Sequence, residues 1–279
     1  MSTIEGKCRK CYSCIRNCPV KAIKVENEQA KVVGELCISC GHCVRVCAQN
    51  AKRIRDDIGK TRELIASGRA AAILAPSFVA EFDDVEPEQL VAAAKALGFC
   101  SVYEVAWGAE RVTREYVRLL KGRPWAPRRS GEGRSGSSAG PSWNDGEGGA
   151  PQESGPPQES SIPRESCAPR EGTADSGCMI TTPCPAIINL VEKHYPELIP
   201  LLAPVVSPMI ATARMIKCEF GGETGVVFIG PCVAKKSEAT DEEVTGGVDA
   251  VLTFREFRAM LEEAGVRPEV LSPVPFDGP

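Results

Sequence analysis

The chain has 279 residues, of which 43% are hydrophobic and 25% are charged, and its net charge at pH 7 is -4. This composition is ordinary for a soluble globular protein with room for two modest domains. The net charge gives no reason to expect nucleic acid or an anionic membrane as a partner. The charge is nevertheless uneven, because residues 1–60 carry 12 Lys and Arg against 6 Asp and Glu.

Eight of the 14 cysteines fall between Cys8 and Cys47. In a small secreted protein this density would predict disulfides. Residues 1–7 lack the apolar core of a signal peptide, however, and no run of 18 apolar residues predicts a transmembrane helix. We therefore expect a cytoplasmic protein whose thiolates bind metal.

Residues 1–50 contain an internal repeat. The motif that begins at Cys8, C-x₂-C-x₂-C-x₃-C, begins again at Cys37, 29 residues further on. Between the two copies, residues 22–33 alternate in polarity, which predicts a small hairpin. A short helix is expected after each third cysteine. Residues 1–60 are thus predicted to be an α+β ferredoxin-like domain.

This spacing predicts two [4Fe-4S] clusters of the bacterial ferredoxin type. Three cysteines of one copy hold one cubane, and the fourth starts a helix toward the other cubane. The predicted ligand sets are Cys8, Cys11, Cys14 and Cys47 for the first cluster, and Cys37, Cys40, Cys43 and Cys18 for the second. A pair of zinc sites is the alternative, although zinc sites usually show paired C-x₂-C units. Four nearby cations are expected to favour the reduced clusters: Arg16, Arg45, Lys52 and Arg53.

Strands alternate with helices over residues 68–122 and again over residues 178–279, which predicts an α/β domain with a largely parallel sheet. The predicted strands are Ala70–Ala75, Ser101–Val105, Gly225–Ile229 and Asp249–Leu252. The predicted helices are Glu88–Leu97, Ala109–Leu120, Pro185–Tyr195, Ser207–Lys217 and Phe254–Ala264. Residues 123–177 are rich in Gly, Pro, Ser, Glu and Arg and predict a disordered insertion. The Pro-rich end of the chain has no predicted closing element.

Two single-cysteine motifs follow the insertion. Cys184 lies in Thr-Thr-Pro-Cys-Pro, and Cys232 lies in Gly-Pro-Cys-Val-Ala-Lys-Lys. Each cysteine stands where a strand gives way to a helix or turn, which is the rim of a parallel sheet where sites are usually built. Lys235 and Lys236 are expected to hold Cys232 as a thiolate. Two buried structural cysteines beside a surface lysine pair are an equal alternative from the residues alone.

These motifs resemble the catalytic domain of the [FeFe] hydrogenases. The similar segments are residues 181–185, 191–198, 207–208, 228–238 and 248–256, with Ala75-Pro76-Ser77 and Leu97-Gly98-Phe99 upstream. The resemblance covers nearly everything outside the insertion, including the ferredoxin module that this family commonly carries in front.

The resemblance implies an active-site cluster, in which a [4Fe-4S] cubane is bridged by one cysteine to a di-iron unit carrying CO and cyanide. By position, Cys184 and Cys232 would be two of the four cubane ligands. Lys235 would be the catalytic residue that donates a hydrogen bond to a cyanide, and Ala75, Pro76 and Ser77 would line the pocket. The implied reaction is reversible reduction of protons to H₂, with electrons from redox protein partners.

Three departures from the family pattern argue against rapid turnover. Pro183 replaces a proton-relaying cysteine, Ala203 falls where a serine serves the proton path, and Gly230-Pro231 replaces a methionine before the second ligand. The family's last motif, with the remaining two cysteines, has no counterpart before Pro279, so the domain is expected to be incomplete. The favoured hypothesis is a sensory or weakly active hydrogenase-like protein. The alternatives are an electron carrier with a docking domain and a hydrogenase-like iron–sulfur assembly factor.

Overall fold

The computed structural model describes residues 1–122, 179–244 and 246–278. The predicted insertion, residues 123–177, lies outside the described residues. The stretches on either side of it fold as one compact unit.

The sequence repeat is also a repeat of structure. Strands β2 (Ile23–Glu26) and β3 (Gln29–Val32) form the predicted antiparallel hairpin. Strands β1 (Ser2–Thr3) and β4 (Lys52–Arg53) pair in the same antiparallel manner. Each copy of the cysteine motif therefore lies beside its own two-stranded ribbon.

Each copy also contains one helical turn, α1 (Ser13–Arg16) or α2 (His42–Arg45). The turn begins after Tyr12 or Gly41, both of which have left-handed backbone conformations with φ of 57° and 75°. It therefore includes the third cysteine and ends before the fourth. The prediction that a helix follows the third cysteine, with the fourth cysteine starting a helix, was wrong in this detail.

The larger domain is built on a four-stranded parallel sheet. Its strands are β5 (Ala70–Leu74), β6 (Ser101–Glu104), β7 (Gly225–Ile229) and β8 (Ala250–Leu252), in the order β6-β5-β7-β8. Every neighbouring pair is parallel. All residues of β5 and β7 are buried, as expected for a sheet covered by helices on both faces. The predicted parallel sheet is confirmed.

The helices connect these strands and begin at recognisable signals. The helices are α3 (Ile58–Ala66), α4 (Phe78–Glu81), α5 (Pro87–Ala96), α6 (Ala106–Gly122), α7 (Pro185–His194), α8 (Pro208–Phe220), α9 (Lys235–Glu238) and α10 (Phe254–Glu263). Proline occupies the first turn of α5, α7 and α8, where its missing N–H is not needed. Before α10, Thr253 and Glu256 exchange side-chain and backbone hydrogen bonds in a capping box.

The end of the described chain closes one edge of the sheet, contrary to the prediction. After a short 3₁₀ turn at Pro268–Val270, the chain runs beside β6. The Asp277 amide donates to the Val102 carbonyl at 2.9 Å, and the Val102 amide donates to the Asp277 carboxylate at 2.8 Å. The side chain of Asp277 also accepts from Lys95 at 2.8 Å. These bonds cover the backbone of an edge strand.

Candidate functional site

The eight cysteines of the repeat surround two cavities. The first cavity is lined by Cys8, Cys11, Cys14 and Cys47. The second cavity is lined by Cys18, Cys37, Cys40 and Cys43. In each cavity, three cysteines come from one copy of the motif and the fourth comes from the other copy. The structure therefore brings together the members of each predicted ligand set.

The backbone curves around both cavities through matching left-handed residues. Positive φ angles occur in three pairs separated by 29 residues: Lys10 and Ser39, Tyr12 and Gly41, and Lys21 and Asn50. Left-handed backbone is unfavourable for residues other than glycine. Five of these six residues are not glycine. The packing around the cavities, and not the backbone preference of each residue, therefore determines these turns.

Backbone amides point at several of the cysteine sulfurs. The donor–acceptor pairs are Ala22 N to Cys18 Sγ at 3.2 Å, Ala51 N to Cys47 Sγ at 3.3 Å, and Ser39 N to Cys37 Sγ at 3.4 Å. The first two pairs are equivalent positions of the two copies. Hydrogen bonds of this kind stabilise negative charge on sulfur, and they are one means by which a protein adjusts the potential of an iron–sulfur cluster.

Each cavity offers four cysteine thiols as candidate metal ligands. Among the described residues, no three His, Cys, Asp or Glu side chains are placed so that they could hold one metal ion. A tetrahedral zinc site needs four thiolates within about 2.3 Å of the same point. A cubane instead offers one iron at each of four corners, so its ligands lie further apart. The donor set of each cavity, four cysteines, fits a [4Fe-4S] group.

The free thiols of the two cavities differ in their environments. Hydrogen bonds from the backbone at Ala30 and Lys10, and then the charges of Lys52 and Lys10, lower the pKa of Cys8. Burial raises the pKa of Cys14, and it raises the pKa of Cys43 to about 11. In both cases the Lys52 ammonium opposes the effect of burial. Burial therefore favours the protonated thiol at both third cysteines until a metal competes for the sulfur.

Cys184 and Cys232 lie where their motifs predict, next to elements of the parallel sheet domain. Cys184 immediately precedes α7, and Cys232 lies three residues after β7. Both side chains are half-buried. The two motifs are joined directly, since Lys235 Nζ donates to the Pro183 carbonyl at 3.2 Å.

Both lysines of the second motif donate to acceptors other than Cys232. Lys235 Nζ forms an ion pair with Glu238 at 2.7 Å. Lys236 Nζ donates to the Val251 carbonyl at 2.6 Å and to Glu256 at 3.0 Å. Both side chains are buried, so these carboxylates and carbonyls take up their donors.

The predicted pocket-lining segment, Ala75, Pro76 and Ser77, lies beside the Cys232 motif. The Ala75 amide donates to the Ile229 carbonyl at 2.9 Å, at the carboxyl ends of β5 and β7. A side chain on Gly230 would come within 2.7 Å of Ala75 Cβ, so only glycine permits this approach. Ala75 is buried, whereas Pro76 and Ser77 are exposed.

The second cavity abuts the Cys232 motif. Cys40, Gly41 and His42 line one side of a wide cleft, and Pro231, Cys232 and Val233 line the other. A Cβ atom on Gly41 would collide with the Val233 side chain. The loop that carries a predicted ligand of the second cluster is therefore in close contact with the other candidate site.

The end of α7 provides a second link. Lys193 Nζ donates to the Cys37 carbonyl at 2.8 Å and to the Gly34 carbonyl at 3.2 Å. His194 Nε2 lies 2.9 Å from the Leu36 carbonyl. Sequence reasoning missed these residues and Gly41, because nothing local in the sequence shows that the two domains meet here.

Two other cysteines lie outside these sites. Cys100 is exposed, and its thiol donates to the Ala70 carbonyl at 3.2 Å. Cys218 is exposed near the end of α8. Cys167 and Cys178 lie outside the described residues. No helix in the described parts of the chain is both long enough and apolar enough to cross a membrane.

Comparison with known proteins identifies the class first. Residues 1–48 match the model of the 4Fe-4S dicluster domain. Residues 69–145 and 164–279 match the iron-only hydrogenase large subunit, C-terminal domain. The chain belongs to this hydrogenase large-subunit family, and it is a 4Fe-4S iron–sulfur protein. The resemblance read from the sequence is confirmed.

Curated relatives include proteins of two kinds. A cytosolic Fe-S cluster assembly factor NAR1 from Kluyveromyces lactis is 36% identical over 92 residues, which are 33% of this chain and 19% of the relative. A periplasmic [Fe] hydrogenase large subunit from Nitratidesulfovibrio vulgaris is 33% identical over 98 residues, which are 31% of this chain and 23% of the relative. The matches thus span about a fifth of the length of these relatives.

Solved structures of the same family share the fold. An [FeFe]-hydrogenase structure from Chlamydomonas reinhardtii superposes with a TM-score of 0.52 at 20% identity, covering 80% of this chain and 51% of that chain. At this identity the likeness concerns the fold alone.

Proposed function

We propose that the first and second cavities each hold one [4Fe-4S] cluster, with the predicted ligand sets. The supporting observation is that each cavity is lined by four cysteines in the crossed three-plus-one arrangement. When bound, the clusters would accept and release single electrons. The protein's own groups would supply thiolates, donate amide hydrogen bonds to sulfur and limit access of water.

Iron and sulfide analysis of anaerobically reconstituted protein tests this proposal. We expect about eight iron atoms per chain in the wild type. C14S removes a buried thiolate of the first cavity and should lower the iron content by about half. C100S is the matched control, because Cys100 is exposed and lies outside both cavities. Zinc in place of iron, or equal iron in C14S and wild type, would contradict the proposal.

We propose further that the chain is part of a hydrogenase-like iron–sulfur assembly factor. The observation that carries this proposal is the set of contacts at Pro183, the position where the family has a proton-relaying cysteine. Pro183 offers no acidic proton, and its carbonyl accepts from Lys235, which Glu238 also engages. This arrangement favours electron or cluster transfer over proton reduction. The similarity to a protein named as a cytosolic Fe-S cluster assembly factor supports this proposal. The same similarity supports two related proposals, a cytosolic location and iron–sulfur or redox proteins as partners.

The second candidate is a hydrogenase, sensory or weakly active. It is favoured by the retained Cys184, Cys232 and Lys235, and by the similarity to a hydrogenase large subunit. The active-site cluster of the resemblance needs four thiolates, and the described α/β residues supply two at the expected positions. The electron route that we propose for this site runs from the second cavity to the Cys232 motif. A sensory role stays a prediction.

Four measurements on the reconstituted chain separate the candidates: H₂ evolution, infrared spectra, activation of an apo enzyme and reversible reduction. With a strong low-potential reductant, the assembly proposal predicts no H₂ above the protein-free background and no infrared bands of CO or cyanide. It also predicts that the loaded chain restores activity to an apo iron–sulfur enzyme. H₂ evolution together with such bands would favour the hydrogenase. Reversible reduction of the chain without any effect on the apo enzyme would favour a plain electron carrier.

A further inference from the structure

The two copies of the repeat differ at a buried position in their paired strands. Ile23 opens β2 and is paired with Val32 in the antiparallel ladder. The residues 29 positions away, Lys52 and Thr3, form the equivalent pair between β4 and β1. Ile23 and Val32 line the second cavity, and Lys52 and Thr3 line the first. An apolar pair beside one cluster site is thus replaced by a lysine and a threonine beside the other.

Lys52 is buried and held in place. Only 6% of its surface is exposed. Its ammonium donates to Thr3 Oγ1 at 2.8 Å and to the Ala30 carbonyl at 2.5 Å. These acceptors are uncharged, so they orient the ammonium without neutralising it. The replacement of valine by threonine supplies the hydroxyl that the lysine needs.

The other cations near the cysteine motifs are placed differently. Arg16, Arg45 and Arg53 are exposed, and so are Arg9 and Lys10, which also line the first cavity. Water and salt screen such exposed charges. A buried charge is screened much less and acts on its neighbours at a lower effective dielectric constant. Lys52 is part of the wall of the first cavity and not of the second.

We infer that Lys52 sets the order of the two potentials: its buried ammonium makes the cluster of the first cavity easier to reduce than that of the second. This inference rests on the proposed binding of two clusters. Adding an electron makes a thiolate-ligated cluster more negative, and a fixed cation beside it stabilises that reduced form. The first cluster would then hold the first electron that the pair receives, while the second cavity lies against the Cys232 motif.

A redox titration of the reconstituted chain, followed by electron paramagnetic resonance, tests the inference. The wild type should show two separate midpoints. K52M removes the charge and keeps the length of the stem, so the higher midpoint should fall and the two should converge. We expect about a tenfold change in the reduction equilibrium, which is about 59 mV for a one-electron couple. K52R keeps the charge and should keep the separation, which a purely packing role would not predict.

R53Q is the matched control, since it removes a like charge from the next residue of the same strand, on an exposed side chain. An unchanged separation in K52M, or an equal change in R53Q, would overturn the inference while leaving cluster binding intact. K52I, which installs the residue of the other copy, repeats the measurement if K52M loads poorly. Loss of a cluster in both variants would show that Lys52 is needed for assembly, and would overturn the inference. A wild type without iron and sulfide would refute the underlying function.

Discussion

Lys235 and Glu238 form an ion pair that water hardly reaches. Their side chains are 10% and 7% exposed, and the two charged atoms lie 2.7 Å apart. Lys235 also reaches the Pro183 carbonyl, so that it joins the two single-cysteine motifs. A buried pair of this kind adds little stability over an apolar pair, but removal of one partner leaves an uncompensated charge.

K235M should therefore lower the free energy of unfolding substantially. The expected loss is about 3–5 kcal/mol, because Glu238 would remain buried without its cation. Anaerobic urea denaturation of the chain measures this loss. The double variant K235M/E238M should recover much of the loss, since it leaves no unpaired buried charge.

The control for this experiment is R114M. Arg114 and Glu110 form a surface pair on α6, with side chains 70% and 71% exposed. Exposed pairs contribute little to stability, so R114M should leave the unfolding curve nearly unchanged. An effect of K235M no larger than that of R114M would show that the buried pair is not structurally important.

The sequence alone could not show which of the cationic side chains near the cysteines is buried. Arg16, Arg45, Lys52 and Arg53 are all close to cysteines along the chain, and all were expected to influence the clusters. Only the paired strands show that Lys52 alone among the four is buried. The alternation of a two-residue strand is too short to predict which side chain points inward.

Between elements, one close contact joins the turn before α2 to the segment after β7. Gly41 has a φ of 75°, and any Cβ there would collide with Val233. Glycine is thus required for two reasons, its backbone conformation and the close approach of the two domains.

A comparison of G41A with G6A should separate the effect of the close approach from the effect of backbone strain. Gly6 has the same φ of 75°, but a Cβ atom at that position would have no neighbour within 4 Å, so its substitution introduces backbone strain alone. We expect G41A to destabilise the chain more than G6A and to increase proteolysis between the two domains. V233A added to G41A should restore much of the difference, because it removes the colliding methyl groups. Equal effects of G41A and G6A would contradict the close contact.

The strength of local signals decided which elements could be predicted. Four strands and five longer helices of the α/β domain were predicted because hydrophobic runs, prolines and glycines mark them. Helices α4 and α9 were missed, since single turns carry no periodicity. Helix α3 was also missed, because its first turn contains a poor helix former, Gly59, and its Thr61 is buried only through tertiary packing.

For the molecule as a whole, charge and connectivity agree with electron entry at the N-terminal module. Residues 1–60 carry a net positive charge in a chain whose total is -4. The first cavity includes the exposed Cys11 and Tyr12 in its lining, whereas the second cavity lies against the Cys232 motif. A route from surface to first cavity, second cavity and Cys232 is consistent with the proposed function.

The family of this protein and its iron–sulfur character could be predicted from the sequence, because cysteine spacing and family motifs are local properties of a chain. Cysteine spacing also predicted both ligand groupings, and the alternation of elements predicted the parallel sheet that the structure confirms. Three features emerged only from the folded molecule: which charges are buried, where Lys235 and Lys236 donate, and how the second cavity meets the Cys232 motif. These features depend on contacts between residues far apart in the chain. The side chains involved become buried only when the two domains pack together.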